Sequence, residues 1–321
     1  MKAITATLIL SLAALPVMAG GPSIDPNLPH YEKVTGVRGT LSAAGSDTML
    51  ELQTLLAEAF RKTYPQVKIQ VEGKGSSTAP PALIEGTVQL GDMSRKMKPT
   101  ERDAFEERFG YEPTRFDVAL DTLAVFVNKD NPLKSLTLEQ VDSIFSKGRR
   151  CGAAADAGTW GQLGVTGNLA GASISLYGRN AASGTYGYFK KHALCKGDYK
   201  DSVKEQPGSA SVVQGIENDP YGIGYSGIGY RTSGVRAVPL SRSSGEPAVP
   251  ASSETAADGS YPLARFLFVY INKIPGQNPG ALTTEYLKFM LSAEGQEIIV
   301  KAGFDPLDAD TAAAQLAKLT R

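Results

Sequence analysis

The chain has 321 residues, 42% of them hydrophobic and 21% charged, enough apolar material for two ordinary domains or one large one. General disorder, collagen-like repeats and a disulfide-dense mini-fold are excluded. Lysine plus arginine and aspartate plus glutamate both number 33. A formal net charge of zero argues against a nucleic-acid or anionic-membrane binder held by bulk positive charge, so any anionic ligand must be bound by local donors.

The first residues read as an address. Met1 and Lys2 open a short basic region, Ala3 to Leu15 is apolar or small, Pro16 interrupts it, and Val17-Met18-Ala19 places small residues near the −3 and −1 positions. This is the pattern of a secretory signal peptide cut after Ala19. The run is too short to span a membrane and no later apolar run is long enough, so the expectation is an exported, soluble protein, some of which could reach the medium. No cysteine follows the cut to carry a lipid. Export makes the two cysteines informative, because an oxidising compartment favours pairing and an even count leaves no odd thiol. Cys151 is expected to pair with Cys195, closing a loop of about 45 residues worth roughly 4 kcal/mol in the chain-entropy model; the alternative is two buried thiols.

A grammar of strand, polar turn and helix then repeats. Arg38 to Ala44 has the character of a short strand, Gly45-Ser46-Asp47-Thr48 is polar, and Met49, Leu52, Leu55, Leu56, Ala59 and Phe60 follow at helical spacing. Val67 to Val71 alternates as a strand, and Gly73 to Thr78 leads into Pro80 and Pro81, which suit a helix start. Val88 to Leu90 reads as a further short strand, followed after a glycine by Ser94 and Arg95. Ser173 to Tyr177 reads as a strand, Arg179 to Thr185 as its turn and Tyr186 to Leu194 as its helix. Gly234 to Gly259, rich in Ser, Pro, Gly and Ala, reads as a long surface loop, and Thr283 to Met290 and Glu294 to Ala302 as C-terminal helices.

Strands alternating with helices predict an α/β protein with mostly parallel sheets, whose ligand crevices lie at the carboxyl ends of the strands. Phe116 to Val127 and Tyr261 to Ile271 each hold a long apolar strand and read as crossings between domains. The expected division is a discontinuous first domain, 20–119 plus 266–321, and a second domain, 120–265.

The chemistry gathers at the turns. A helix N-terminus presents unpaired N–H groups and about half a positive charge, so it stabilises an anion, and Ser and Thr hydroxyls add donors. Three converging turns would cage a small tetrahedral oxyanion, whereas each alone could be ordinary N-capping. Arg179 stands four residues before Ser183, and its guanidinium can fork two oxygens of one anion. Ser94-Arg95 is a fourth element, or else a solvated basic loop.

With these motifs the chain resembles the periplasmic phosphate-binding proteins that serve ABC transporters. AGSDTM (44–49), GKGSST (73–78), GDMSRKM (91–97), ALDTLAVFVNKDNP (119–132), LTLEQVDSIFSKG (136–148), GRNAASGT (178–185), YPLARFLFVYIN (261–272) and EGQEIIVKAGFDPL (294–307) are similar to that family in its order. The resemblance implies a type II periplasmic binding protein fold, two α/β lobes with a hinge and a cleft between them. It also implies that the chain, as a monomer, captures inorganic phosphate and delivers it to a membrane permease, without cofactor, metal or nucleic acid. The phosphate contacts that the resemblance implies are Ser46, Thr48 and Ser76 from the first domain and Arg179, Ser183, Gly184 and Thr185 from the second; Asp47, Ser94 and Arg95 are expected to join them from the first domain on this chain's own residues. One departure matters: many members carry an aspartate after the strand matched to Val88 to Leu90, where it accepts the proton of phosphate, and here Ser94 and Arg95 stand in that stretch. Asp47 is the expected substitute acceptor, its alternative being a helix cap that faces away.

Other readings remain open with fewer features behind them: sulfate or arsenate in the same cage, a secreted phosphatase-like hydrolase with Ser183 or Thr48 as nucleophile, or a surface protein that retains the fold. The histidines are His30 and His192 only, and neither a G-x-S-x-G elbow nor a Walker motif occurs. Gly222, Gly224 and Gly227 spell G-x-G-x-x-G without a strand before or a helix after, and read as a loop or a glycine-bearing strand.

Overall fold

The computed structural model describes residues 22–320; the expected signal peptide and its cut after Ala19 lie outside the described residues. The chain runs β1 (Gly39–Gly45), α1 (Leu50–Thr63), β2 (Val67–Glu72), α2 (Ala79–Ile84), β3 (Leu90–Met93) and α3 (Pro99–Phe109) into the long strand β4 (Thr114–Asn128). It continues through β5 (Leu136–Thr137), α4 (Leu138–Phe145), β6 (Ser175–Arg179), α5 (Gly184–His192), β7 (Lys204–Gln206), α6 (Ser209–Glu217) and β8 (Gly222–Gly227). Then come β9 (Val235–Ala237), β10 (Leu240–Ser241), α7 (Ser253–Ala257), β11 (Ala264–Ile271), α8 (Ala281–Met290), α9 (Ala293–Lys301) and α10 (Ala309–Leu316).

The large sheet has the order β2-β1-β3-β11-β4-β8-β6-β7, with β9 also on β4. At one end β1 pairs in parallel with β2 and β3, and at the other β6 pairs in parallel with β7 and β8. The strands joining the two ends are antiparallel, which the sequence reading of mostly parallel sheets did not include. Strand β4 pairs with β11 as far as Thr122 and with β8 from Leu123 onward. One continuous strand therefore serves two halves; it is buried throughout from Asp121 to Asn128, and its apolar run, Leu123 to Val127, lies in the second half.

The apolar interior follows the same division. Leu41, Leu56, Phe60, Tyr286 and Ile299 pack in one cluster with Phe116 and Val118 of β4. Phe145, Trp160, Phe189 and Tyr225 pack in another with Leu123, Val125 and Val127 of the same strand. Each fully buried Leu or Phe contributes about 1.5–3 kcal/mol of burial energy, so either half holds a core of its own.

Local signals were read correctly where the apolar period was long. Helix α1 starts at Leu50 after a short 3-10 turn and buries Leu52, Leu56 and Phe60. Cys151 and Cys195 are disulfide-bonded with Cα atoms 5.4 Å apart. Gly222 to Gly227 is a strand, where a side chain at Gly224 would fall 2.6 Å from the Tyr177 carbonyl oxygen. The expected surface loop from Gly234 to Gly259 needs correction. It holds β9, β10 and α7, and its Val238 and Leu240 are fully buried. Among the described residues no helix is long and apolar enough to cross a membrane.

Candidate functional site

The carboxyl ends of the parallel strands from both halves face one another, and every polar turn singled out in the sequence lies there. Strand β1 ends at Gly45, whose φ of +140° and approach to the Asp92 carbonyl oxygen exclude a side chain: a Cβ would lie 2.1 Å from that oxygen. The turn this allows places Ser46, Asp47 and Thr48 in the interior, 1%, 8% and 0% exposed. The Ser46 N–H donates to the Asp92 carbonyl at 2.7 Å, while Ser46 Oγ is buried without a hydrogen-bond partner.

After β2 and β3 come Ser76 and Ser94. Ser76 Oγ accepts from the Ser94 N–H at 3.0 Å and lies 3.2 Å from Ser94 Oγ. From the other half, Ser183 is the N-cap of α5, its Oγ accepting from the N–H groups of Thr185 and Tyr186. Capping uses the oxygen lone pairs and leaves the hydroxyl proton to donate. Gly184 follows, and a Cβ there would lie 2.2 Å from Ser76 Oγ and 2.5 Å from Ser94 Oγ. The halves are thus closed on one another, with the α5 N-terminus seated on two serines. Thr48 Oγ1 meets Thr185 Oγ1 at 3.0 Å across the same cleft, and the Ser77 N–H donates to the Ala182 carbonyl at 3.1 Å.

Arg179, at the end of β6, is 1% exposed. Its guanidinium donates to the carbonyls of Gln206 and Pro207 and to Ser209 Oγ, and its Nη2 lies 2.5 Å from Asp47 Oδ1. The backbone behind it is fixed by the Tyr225 hydroxyl, which accepts the Arg179 N–H at 3.2 Å. Burial pushes the Tyr225 phenol up to about 12, so it stays neutral. The Asp47 carboxylate is ion-paired to Arg179 but takes no hydrogen bond on either oxygen, and that leaves acceptor capacity facing the cleft.

Arg95 is placed differently from the sequence expectation. Its guanidinium forks onto Glu101 at 2.6 and 2.7 Å and also donates to Ser77 Oγ. Glu101 opens α3, so the Arg95 charge is spent on a helix start in its own half, and Arg95 Cδ lies 3.3 Å from where a Gly187 Cβ would be.

Three residues at the site lie outside the expected phosphate contacts. Ser209 begins α6, its Oγ taking the Arg179 bond and lying 3.4 Å from Thr48 Oγ1. Arg265 donates through Nη2 to Thr185 Oγ1 at 2.8 Å and is held by Asp121. Tyr230 donates to the Thr48 carbonyl at 2.9 Å. A cavity of about 510 Å³ opens beside Asp47 and Ser209, with Leu50, Glu51, Pro207 and Tyr230 also lining it. His192, one of the chain's two histidines, stacks on Tyr188 with ring centroids 4.3 Å apart. Chemically, the arrangement offers one arginine, one free carboxylate edge and a ring of hydroxyl and N–H donors at two helix starts. These suit an oxyanion that still carries a proton.

Residues 32–294 match the PBP superfamily domain. The phosphate-binding protein PstS of Pseudomonas aeruginosa is 50% identical over 319 residues, covering 99% of this chain and 99% of that protein. Protein SphX of Synechococcus elongatus is 28% identical over 307 residues, covering 94% of this chain and 87% of SphX. Among solved structures, a Clostridium perfringens protein described as a phosphate ABC transporter substrate-binding protein with bound phosphate matches with a TM-score of 0.70 and 25% identity, over 84% of this chain and 100% of that one. An ABC-type phosphate transport receptor from Vibrio cholerae shares the fold, with a TM-score of 0.65 and 22% identity over 83% of this chain and 100% of that one.

Proposed function

The chain belongs to the family of PstS phosphate-binding proteins within the PBP superfamily, and from that membership we propose that it captures inorganic phosphate in the cleft between its lobes and hands it to the membrane permease of an ABC transporter. It works in the periplasm, after removal of residues 1–19. The observation that carries the reading is the pairing of Arg179 with Asp47 across the cleft, beside hydroxyls from both lobes. An arginine supplies the countercharge of an anion, and a carboxylate without hydrogen bonds supplies an acceptor for the proton that phosphate keeps near neutral pH.

In this reading Ser46, Thr48, Ser76 and Ser94 donate from the first lobe. Arg179, Ser183, the N–H groups at Gly184 and Thr185, and the hydroxyls of Thr185 and Ser209 donate from the second. Arg95 acts from behind, tying the Ser77 turn to α3 through Glu101. Each lobe holds part of the donor set, so only the closed form satisfies the anion, and differential binding drives closure. The chain passes between lobes at Thr122 to Leu123 and at Leu263 to Ala264, where β4 changes partner and the Leu123 N–H donates to the Leu263 carbonyl.

The test is calorimetric titration of ligand-stripped mature protein with phosphate and, in parallel, with sulfate. One-to-one phosphate binding without a sulfate response is the expected result. Sulfate binding without phosphate binding would keep the cage and overturn the ligand, and silence toward both would overturn the reading.

A further inference from the structure

Arg265 sits near the start of β11, in register with Asp121 of β4 where the lobes meet. Its side chain is 3% exposed and forks onto Asp121 Oδ2 through Nε and Nη2 at 3.0 and 2.7 Å. The guanidinium lies 4.9 Å from the Tyr188 ring centroid. Asp121 and the ring would suffice to anchor a structural ion pair. The same Nη2, however, also donates to Thr185 Oγ1 at 2.8 Å, and Thr185 belongs to the cleft.

That contact has a directional consequence. An arginine has donors only, and a threonine hydroxyl has one proton and two lone pairs. With Arg265 on one lone pair, the Thr185 proton points away from the arginine, toward Thr48 Oγ1 at 3.0 Å or toward a ligand. The opposite flank repeats the arrangement, with Arg179 Nη1 donating to Ser209 Oγ at 3.0 Å and Ser209 Oγ lying 3.4 Å from Thr48 Oγ1. Thr48 thus stands between two hydroxyls that are each backed by an arginine. We infer that Arg265 is a positioning residue of the anion site, which through its bond to Thr185 Oγ1 holds the hydroxyls of Thr185 and Thr48 in the donating sense. Its charge is balanced by Asp121, so it acts through hydroxyl direction and adds no countercharge to the ligand.

The inference rests on the phosphate reading and is tested by a double-mutant cycle of Arg265→Met, Thr185→Val and both together, each titrated with inorganic phosphate as ligand-stripped mature protein. If Arg265 acts through Thr185, each single change weakens phosphate binding about tenfold or more, and the double variant is no weaker than the weaker single one. Losses that multiply, or an Arg265→Met protein that binds phosphate like the unaltered chain, overturn the inference. Should Arg265→Met not fold, because Asp121 is stranded, the cycle is run with Arg265→Lys, whose smaller loss must vanish on the Thr185→Val background. Silence of the unaltered protein toward phosphate overturns the phosphate reading and this inference together, whereas tight binding with multiplying losses overturns the inference alone.

Discussion

Asp47 and Arg179 come from opposite lobes and meet in the interior, Oδ1 to Nη2 at 2.5 Å, with side chains only 6% and 1% exposed. A buried pair of this kind is costly to desolvate and is strongly destabilising to break from one side. In the proposed phosphate site its value is chemical, because it sets a positive donor and a negative acceptor side by side. An anion without a proton meets the carboxylate as a repulsion, while an anion with one meets it as a partner.

Asp47→Asn should therefore blur selectivity more than it weakens binding as a whole. The amide keeps the shape, removes the repulsion and frees the Arg179 charge, so sulfate should gain measurable affinity while phosphate loses about tenfold. Parallel titrations with the two anions at pH 8 check this. Unchanged phosphate affinity with sulfate still excluded would show that Asp47 faces no ligand proton.

Gly184 sits so close to Ser76 and Ser94 that an alanine methyl would land 2.2 and 2.5 Å from their hydroxyl oxygens. Gly184→Ala should leave each lobe folded and keep them from closing. The expected result is a loss of phosphate affinity of about a hundredfold, on the order of 3 kcal/mol, with the melting temperature of the ligand-free protein little changed. Small-angle scattering with saturating phosphate should show the variant remaining more extended than the unaltered protein.

What the sequence disclosed and what it hid have physical reasons. Ser46, Ser76 and Ser183 were legible because a polar turn between a strand and a helical apolar period is a local signal. Ser209 follows the same grammar, but β7 before it has only three residues, Lys204 to Gln206, all polar, and so shows no strand period. Arg265 and Asp121 lie 144 residues apart inside apolar runs, and only the register of β11 on β4 brings them together. Arg95 showed its charge but not its direction, which Glu101 six residues later decides. Strands β9 and β10, of three and two residues, are too short to rise above the composition of a loop. Asp92 lay within a motif read for Ser94 and Arg95, and its burial could not be seen without the sheet.

The disulfide lies beyond the C-terminal end of α5, at the opposite end of the helix from Ser183. Replacing both Cys151 and Cys195 by alanine should cost stability and spare binding. The 44-residue separation predicts a loss of about 4 kcal/mol or less in the chain-entropy model. Chemical denaturation should show the lower midpoint, and phosphate titration an affinity within about twofold of the unaltered chain. A large loss of affinity would mean that the bridge holds the α5 N-terminus in place.

Asp92 gives the fold a pH dependence of its own. Burial pushes its carboxyl up to about 8, against the pull of the hydrogen bond from Gln53 Nε2 at 2.8 Å. Between the ordinary carboxyl value of about 4 and about 8, the folded chain keeps a proton that the unfolded chain releases. Unfolding in that window sheds a proton, so this group makes stability fall as pH rises, with no slope below or above it. The effect is on the order of a few kcal/mol across the window. Asp92→Asn is neutral throughout and mimics the protonated acid, so it should remove this slope. Melting temperatures of both proteins at pH 5 and pH 8 check it: the variant should gain several degrees over the unaltered chain at pH 8 and little at pH 5. Equal differences at the two pH values would mean that Asp92 is already ionised in the folded protein, its charge held by more than the Gln53 amide.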